Sequence, residues 1–180
     1  MATTTWNQDI NAGSDWNAVI TLTNSDANKT NRDVRGCTLT SKVKRHYTSA
    51  AFQSISITSP NEEQGSLNFN LTDTQTTIMK NGKYLYDVEL IGAPVLTVSD
   101  ETGTFITDEV ITGGTSGATG KVILHDNPGN TIKYAVTSGT FAGTETITGS
   151  STSTATMVSL KTGDTERVIA GVITVRPEVT

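Results

Sequence analysis

Two histidines, one cysteine and three pairs of adjacent carboxylates are the residues of this 180-residue chain whose types suit chemistry. His46 and His125 each lack a second ligand-type residue at the spacing of a zinc motif. His46 shares a solvated strand face with Lys42 and Lys44. His125 opens His125-Asp126-Asn127-Pro128-Gly129-Asn130, which is rich in the residues turns require, so structural or solvated roles are expected for both. Cys37 starts an alternating segment and is expected to pack as a small apolar residue. No serine stands in a Gly-x-Ser-x-Gly turn of the kind that orients a nucleophile. The carboxylates Glu62-Glu63, Asp100-Glu101 and Asp108-Glu109 fall in loops or at strand ends and read as solvated acids. Asp100, Glu101 and Asp108 are oxygen donors of the type calcium takes, but no loop carries the spaced Asp/Asn pattern of a calcium motif. Gly114 to Lys121 invites comparison with a phosphate-cradling loop. That motif needs glycine where Thr115 stands, Ser or Thr where Val122 stands, and a following helix where Val122-Ile123-Leu124 reads as strand. The residues therefore assign no catalytic, cofactor-binding or metal-binding position, and the expectation is a protein that is not an enzyme and holds no cofactor.

The elements that must position these residues are strands. Hydrophobic residues make up 34% and charged residues 17%, while 34 Thr, 15 Ser and 16 Gly dominate the remainder. Threonine is β-branched, loses rotamer freedom in a helix and fits a pleated surface. Alternation places Trp16, Ala18, Ile20 and Leu22 on one face, with Val19 the apolar exception. It also places Cys37, Leu39, Ser41, Val43, Arg45 and Tyr47 on a buried face against a basic, wet one. Further strands carry Ile55 and Ile57, then Leu67, Phe69 and Leu71, then Tyr84, Tyr86, Val88 and Leu90. A last strand region runs from Glu166 to Val179, with Ala170-Gly171 as a bulge or bend. Thr72 to Lys80 is the one helical candidate, capped by Thr72 or Asp73 and ended by Asn81-Gly82.

A net charge of −5 and a pI near 4.9 argue against nucleic acid as a partner, since phosphate binding needs clustered Lys and Arg. The cluster Lys42, Lys44, Arg45 and His46 reads as a solvated strand face that blunts edge pairing. No apolar run suits a membrane span, and Met1 to Asp15 lacks the basic start and apolar stretch of a signal peptide. With a single cysteine, the expectation is a fold made in a cytoplasm.

Between about Ala93 and Gly163 the chain repeats itself. Gly103-Thr104-Phe105 recurs as Gly139-Thr140-Phe141, and Glu109-Val110-Ile111-Thr112-Gly113 as Glu145-Thr146-Ile147-Thr148-Gly149, both at an offset of 36. Ala118-Thr119 recurs as Ala155-Thr156 after a one-residue slip. Two copies related by a pseudo-twofold would form a small barrel or sandwich; an elongated β-ribbon is the alternative. Without this segment, Lys83 to Leu90 and Glu166 to Val175 become neighbouring strands. The domains expected are a β-sandwich of immunoglobulin-like size from residues 1–92 and 164–180, and a Thr/Gly-rich β module from 93–163. Tyr84 and Tyr86 sit where such sandwiches place a corner tyrosine.

Ile10-Asn11-Ala12-Gly13-Ser14-Asp15-Trp16 resembles the opening of the immunoglobulin-like module of phage baseplate upper proteins. So do Leu71-Thr72-Asp73-Thr74-Gln75-Thr76, the run Gly82 to Leu90, and the ending Arg167 to Thr180. The Gly-Thr-Phe and Glu-x-Ile-Thr-Gly repeats are similar to Thr/Gly-rich β modules of tailed-phage virion proteins; the simple module lacks this insert. The resemblance implies an all-β, immunoglobulin-like structural protein of a virion (tail, baseplate, neck or capsid decoration). Its partners would be other virion proteins and further copies of itself. The apolar run Val172 to Val179 would be an edge available for assembly. A second reading is a carbohydrate- or receptor-binding module, with Trp6, Trp16, Tyr47, Tyr84 and Tyr86 as a stacking platform.

Overall fold

The computed structural model describes residues 4–25, 27–50 and 53–177. The protein is nearly all β, with one helical turn. It divides into two units. One comprises Met1–Val34, Leu39–Ile91 and Thr165–Thr180; the other comprises Arg35–Thr38 and Gly92–Asp164.

The first unit opens with β1 (Thr4–Thr5), β2 (Gln8–Asn11), β3 (Trp16–Thr21), β4 (Thr38–Lys44), β5 (Ser56–Asn61) and β6 (Ser66–Leu71). The helical turn α1 (Asp73–Thr77) and strand β7 (Gly82–Ile91) follow. The second unit supplies β8 (Val95–Thr102), β9 (Val110–Gly113), β10 (Thr119–Asp126), β11 (Thr131–Ser138), β12 (Thr146–Gly149) and β13 (Thr154–Lys161). The chain returns to the first unit in β14 (Thr165–Arg176).

Two sheets make a β-sandwich of the first unit. One is ordered β1-β14-β7-β4, with β2 also on β14, and the other β3-β6-β5. Each strand buries the side its alternation marks. β6 buries Leu67, Phe69 and Leu71; β7 buries Tyr84, Tyr86, Val88 and Leu90; β14 buries Ile169, Ile173 and Val175. Val19, the exception to the β3 alternation, is 66% exposed. Ser41, the one polar residue on the buried face of β4, both donates to Ile55 O (2.9 Å) and accepts from Ile55 N (2.6 Å). Its hydroxyl is thus satisfied inside the core. Trp6 packs on Trp16 and, edge to face, on Phe69 at 5.4 Å between centroids.

The helix is shorter than Thr72 to Lys80. Thr72 caps it through a capping box with Gln75, and Thr72 N donates to Gln75 Oε1 at 2.9 Å. It ends in a tighter turn, with Met79 N donating to Thr76 O at 3.1 Å, and the backbone beyond accepts side-chain donors. Tyr84 Oη donates to Lys80 O (3.0 Å) and Arg45 to Asn81 O (3.3 Å).

Strand β14 differs from expectation in two ways. The bulge lies between Arg167 and Ile169, not at Ala170-Gly171. Gly171 instead admits the backbone of the parallel neighbour, since a Cβ there would overlap the carbonyl oxygen of Trp6. β14 is also no free edge: it pairs antiparallel with β7 along its length and parallel with β1 and β2 on its other side. The run Val172 to Arg176 is therefore interior, and the residues beyond Pro177 lie outside those described.

In the second unit six strands close into a barrel ordered β10-β11-β8-β13-β12-β9. The ribbon alternative is thereby excluded. The offset of 36 carries β8 onto β11 and β9 onto β12, and every strand pairing has its counterpart under a pseudo-twofold. Inside lie Leu96, Val98, Ile111, Val122, Ile132, Tyr134, Ile147 and Met157, with Phe105 and Phe141 of the two Gly-Thr-Phe motifs among them. Gly103 and Gly139 both take positive φ, +79° and +67°, which only glycine adopts readily. Each packs against the other copy: Gly103 on Ser153 and Gly139 on Ala118.

That pairing corrects the alignment of the copies. Thr119 pairs with Thr112 and Thr154 with Thr148, so Thr154 matches Thr119, and the offset after the loop is 35. Ala118 matches Ser153, not Ala155, because the second loop is one residue shorter. Arg35–Thr38, which the sequence assigns to the sandwich, packs with the barrel. Gly36, at φ +66°, brings its backbone so close to Ala135 that a Cβ would lie 2.8 Å from Ala135 Cα.

Candidate functional site

The most concentrated polar chemistry is a pair of buried carboxylates, Glu109 and Glu145, one from each repeat, 6% and 3% exposed. Each reaches into the loop of the other copy. Glu145 accepts from Thr115 N (3.0 Å), Ser116 N (2.9 Å), Ser116 Oγ (2.8 Å) and, in its own copy, Ala142 N (2.8 Å). Glu109 accepts from Ser151 N (3.1 Å), Ser151 Oγ (2.7 Å), Ser153 Oγ (3.4 Å) and, in its own copy, Ile106 N (2.7 Å). In the shorter second loop Ser153 Oγ takes the place that a second backbone N–H fills in the first.

The repeated glycine makes this possible. A Cβ on Gly113 would sit 2.5 Å from Glu145 Oε2, and one on Gly149 would sit 2.6 Å from Glu109 Oε2. Burial alone would raise both carboxyl pKa values. Donors aimed at the oxygens outweigh it and hold both below the ordinary 4.5. A carboxylate saturated in this way is an anchor: its lone pairs are engaged by donors of the fold.

Glu101 is not the solvated acid expected, and His125 takes the structural one of its two expected roles. His125 Nε2 lies 3.0 Å from Glu101 Oε2, with the side chains 4% and 11% exposed, and the edge of Phe105 packs on the imidazole. His125 stands in β10, before the turn that its neighbours form. Asp108 pairs with Lys121 (2.9 Å) and Arg35 (3.6 Å). Asp100 accepts instead from Ser99 Oγ at 3.0 Å, and among the described residues no three His, Cys, Asp or Glu converge. Gly114 to Lys121 forms a turn leading into β10, as expected of a structural loop.

Cys37 belongs to the Arg35–Thr38 segment of the barrel unit, and the other remaining candidates lie on the sandwich. Cys37 is half-buried just before β4, and His46 is exposed. Arg45 leaves the basic cluster: its guanidinium lies over the Tyr84 ring at 5.3 Å and donates to Tyr84 Oη at 3.2 Å. The five-residue aromatic platform does not form. Tyr84 and Tyr86 are 2% and 4% exposed, and burial drives the Tyr86 hydroxyl well above the ordinary phenol range. Tyr47, expected on the buried face, is 82% exposed because β4 ends at Lys44 and the chain turns before it.

Tyr47 joins Lys42 and Lys44 on one wall of a groove of about 510 Å³ that the sequence did not reveal. Leu85, Asp87, Ala170, Gly171 and Val172 line it, with Thr5, Asn7 and Arg167 at its far side. The legible part of the signal is the i, i+2 spacing of the lysines on a strand. The walls come from strands far apart in sequence.

No protein-family model matches this chain, and no curated protein matches it.

Proposed function

We propose that this chain is a non-enzymatic structural protein of a tailed-phage particle. In this reading an immunoglobulin-like sandwich is the docking body, and the two-repeat barrel is an added assembly module. The immunoglobulin-like reading is supported by the strand order, β2-β14-β7-β4 in one sheet and β3-β6-β5 in the other, with the first strand parallel to the last. It is also supported by Tyr84, whose hydroxyl returns to the Lys80 carbonyl just before β7, as a tyrosine corner does.

The observation that carries the non-enzymatic reading is the use made of the reactive side chains. Glu109, Glu145, His125 and Arg45 are committed to internal contacts that hold loops and strands, as is one oxygen of Glu101. The phage assignment rests on the resemblance of Ile10 to Trp16, Leu71 to Leu90 and Arg167 to Thr180. Other virion proteins and further copies of the chain are then its partners, at the tail, baseplate, neck or capsid surface.

Mass spectrometry of purified particles of the virus that encodes the chain tests this. The chain should be present in many copies per particle, and antibody labelling should place it at one structure. Its absence from particles, in cells that produce it during infection, would overturn the reading.

A further inference from the structure

The groove on the outer face of the β4–β7–β14 sheet has the composition of a ligand site. Its floor consists of cross-strand pairs, Leu85 with Val172 and Asp87 with Ala170, all half-buried. Gly171, between them, faces the other way, against the Trp6 carbonyl. One wall is built where β1 and β2 separate: Asn7 Oδ1 accepts from Val172 N at 2.9 Å, so a side chain replaces a ladder carbonyl and the strand turns aside. The other wall carries Lys42 and Lys44, on the same side of β4 and about 6.6 Å apart by strand rise. Tyr47, 82% exposed, stands at the rim. The volume of about 510 Å³ falls within the range of small-ligand pockets, about 300–1,000 Å³.

We propose that this groove binds an acidic sugar, a uronate residue of a glycan. The ligand's carboxylate meets the ammonium groups of Lys42 and Lys44. Asp87, on the neighbouring strand, accepts from ring hydroxyls. The apolar floor and the Tyr47 ring take the C–H faces of the sugar. This division of labour favours a sugar over an acidic peptide. Asp87 repels a second carboxylate but welcomes hydroxyl donors. A peptide strand would also find no ladder to join at two of these strands, because β14 is paired on both sides and Val43 N already donates to Gln53 O at 2.8 Å. Lys42, Lys44 and Arg167 beside an aspartate are likewise too few cations to track a nucleic-acid backbone.

Isothermal titration calorimetry of the full chain with tetragalacturonate tests the proposal, with a neutral galactose oligosaccharide and a short oligoglutamate as comparison probes. Tetragalacturonate should bind, more weakly as salt is added, and the two comparison probes should bind less well. The K42Q/K44Q double variant should lose about tenfold in affinity, the sum of two partly exposed ion pairs, and Tyr47→Ala should also weaken binding. NMR amide shifts on titration should concentrate at Leu85, Asp87, Ala170 and Val172, a readout independent of whether any variant folds. No binding of tetragalacturonate, equal binding of either comparison probe, or shifts located elsewhere would overturn it. The outcome is separate from whether the chain is found in particles.

Discussion

The side chains that matter most to the barrel are Glu109 and Glu145, because each satisfies backbone donors of the opposite repeat. Glu145→Ala leaves the amides of Thr115, Ser116 and Ala142 without their acceptor inside the fold. The expected cost is about 2–4 kcal/mol, since charge-assisted hydrogen bonds are lost and buried donors orphaned. Urea unfolding followed by amide hydrogen exchange of β9 and β12 measures it. Tryptophan fluorescence should change little, because Trp6 and Trp16 both lie in the sandwich. The same carboxylates set a pH dependence. Both have folded-state pKa values below the ordinary 4.5, so the unfolded chain takes up their protons first on acidification. Their contribution is present in full above that value and is lost as pH falls through the folded-state pKa values. The barrel of the E109A/E145A variant should therefore show a flatter acid limb than the parent in a pH series of melting temperatures. Tyr84→Phe is a milder change at the same scale. It removes the hydroxyl that donates to Lys80 O and accepts from Arg45, and should cost about 1 kcal/mol in urea denaturation.

Among the elements, β14 organises the sandwich by taking partners on both sides. Its parallel contact with β1 depends on Gly171, where a Cβ would meet the Trp6 carbonyl. Gly171→Ala should displace the Trp6 segment and weaken the hydrogen bonds from Trp6 N to Ala170 O and from Tyr86 Oη to Trp6 O. A destabilisation of about 1–3 kcal/mol is expected from such overpacking. Faster exchange of the Trp6 amide, with that of Val88 unchanged, is the local signature. In the barrel, small and large residues are matched across copies. Gly120 leaves room for the Tyr134 ring, which is larger than its counterpart Val98, and the position matching Gly120 holds Ala155.

At the level of the whole molecule, the barrel is joined to the sandwich between two strands that already pair with each other. Ile91 lies opposite Thr165, the first pair of a ladder that runs to Gly82 and Val175. Replacing Gly92–Asp164 with an Asn-Gly turn should close that hairpin directly, because two residues suffice for a type I′ connection. The product is expected to unfold cooperatively with its tryptophans still half-buried, and to lose order only around Arg35–Thr38, which packs with the barrel. A product without a cooperative transition would mean that the sandwich core depends on the barrel.

The sequence by itself determined what is local. Period-two alternation marked the strands, Thr72 and Gln75 marked a helix start, and the recurring Gly-Thr-Phe and Glu-x-Ile-Thr-Gly marked a twofold module. These follow from the geometry of a single segment, so they need no knowledge of the partner. Tertiary structure decided what depends on distant partners. Glu109 reads as a solvated acid until the donors of Ser151, 42 residues on, arrive, and Glu145, its repeat counterpart, is reached by donors 29 and 30 residues away. The same holds for His125 and Glu101, for the offset of 35 that follows the shorter loop, and for the C-terminal strand, which reads as an edge but lies inside its sheet. Whether a polar atom is solvated or anchored, and whether a strand is edge or interior, is set by what lies across the gap. Long-range strand pairing fixes that, and no local pattern encodes it.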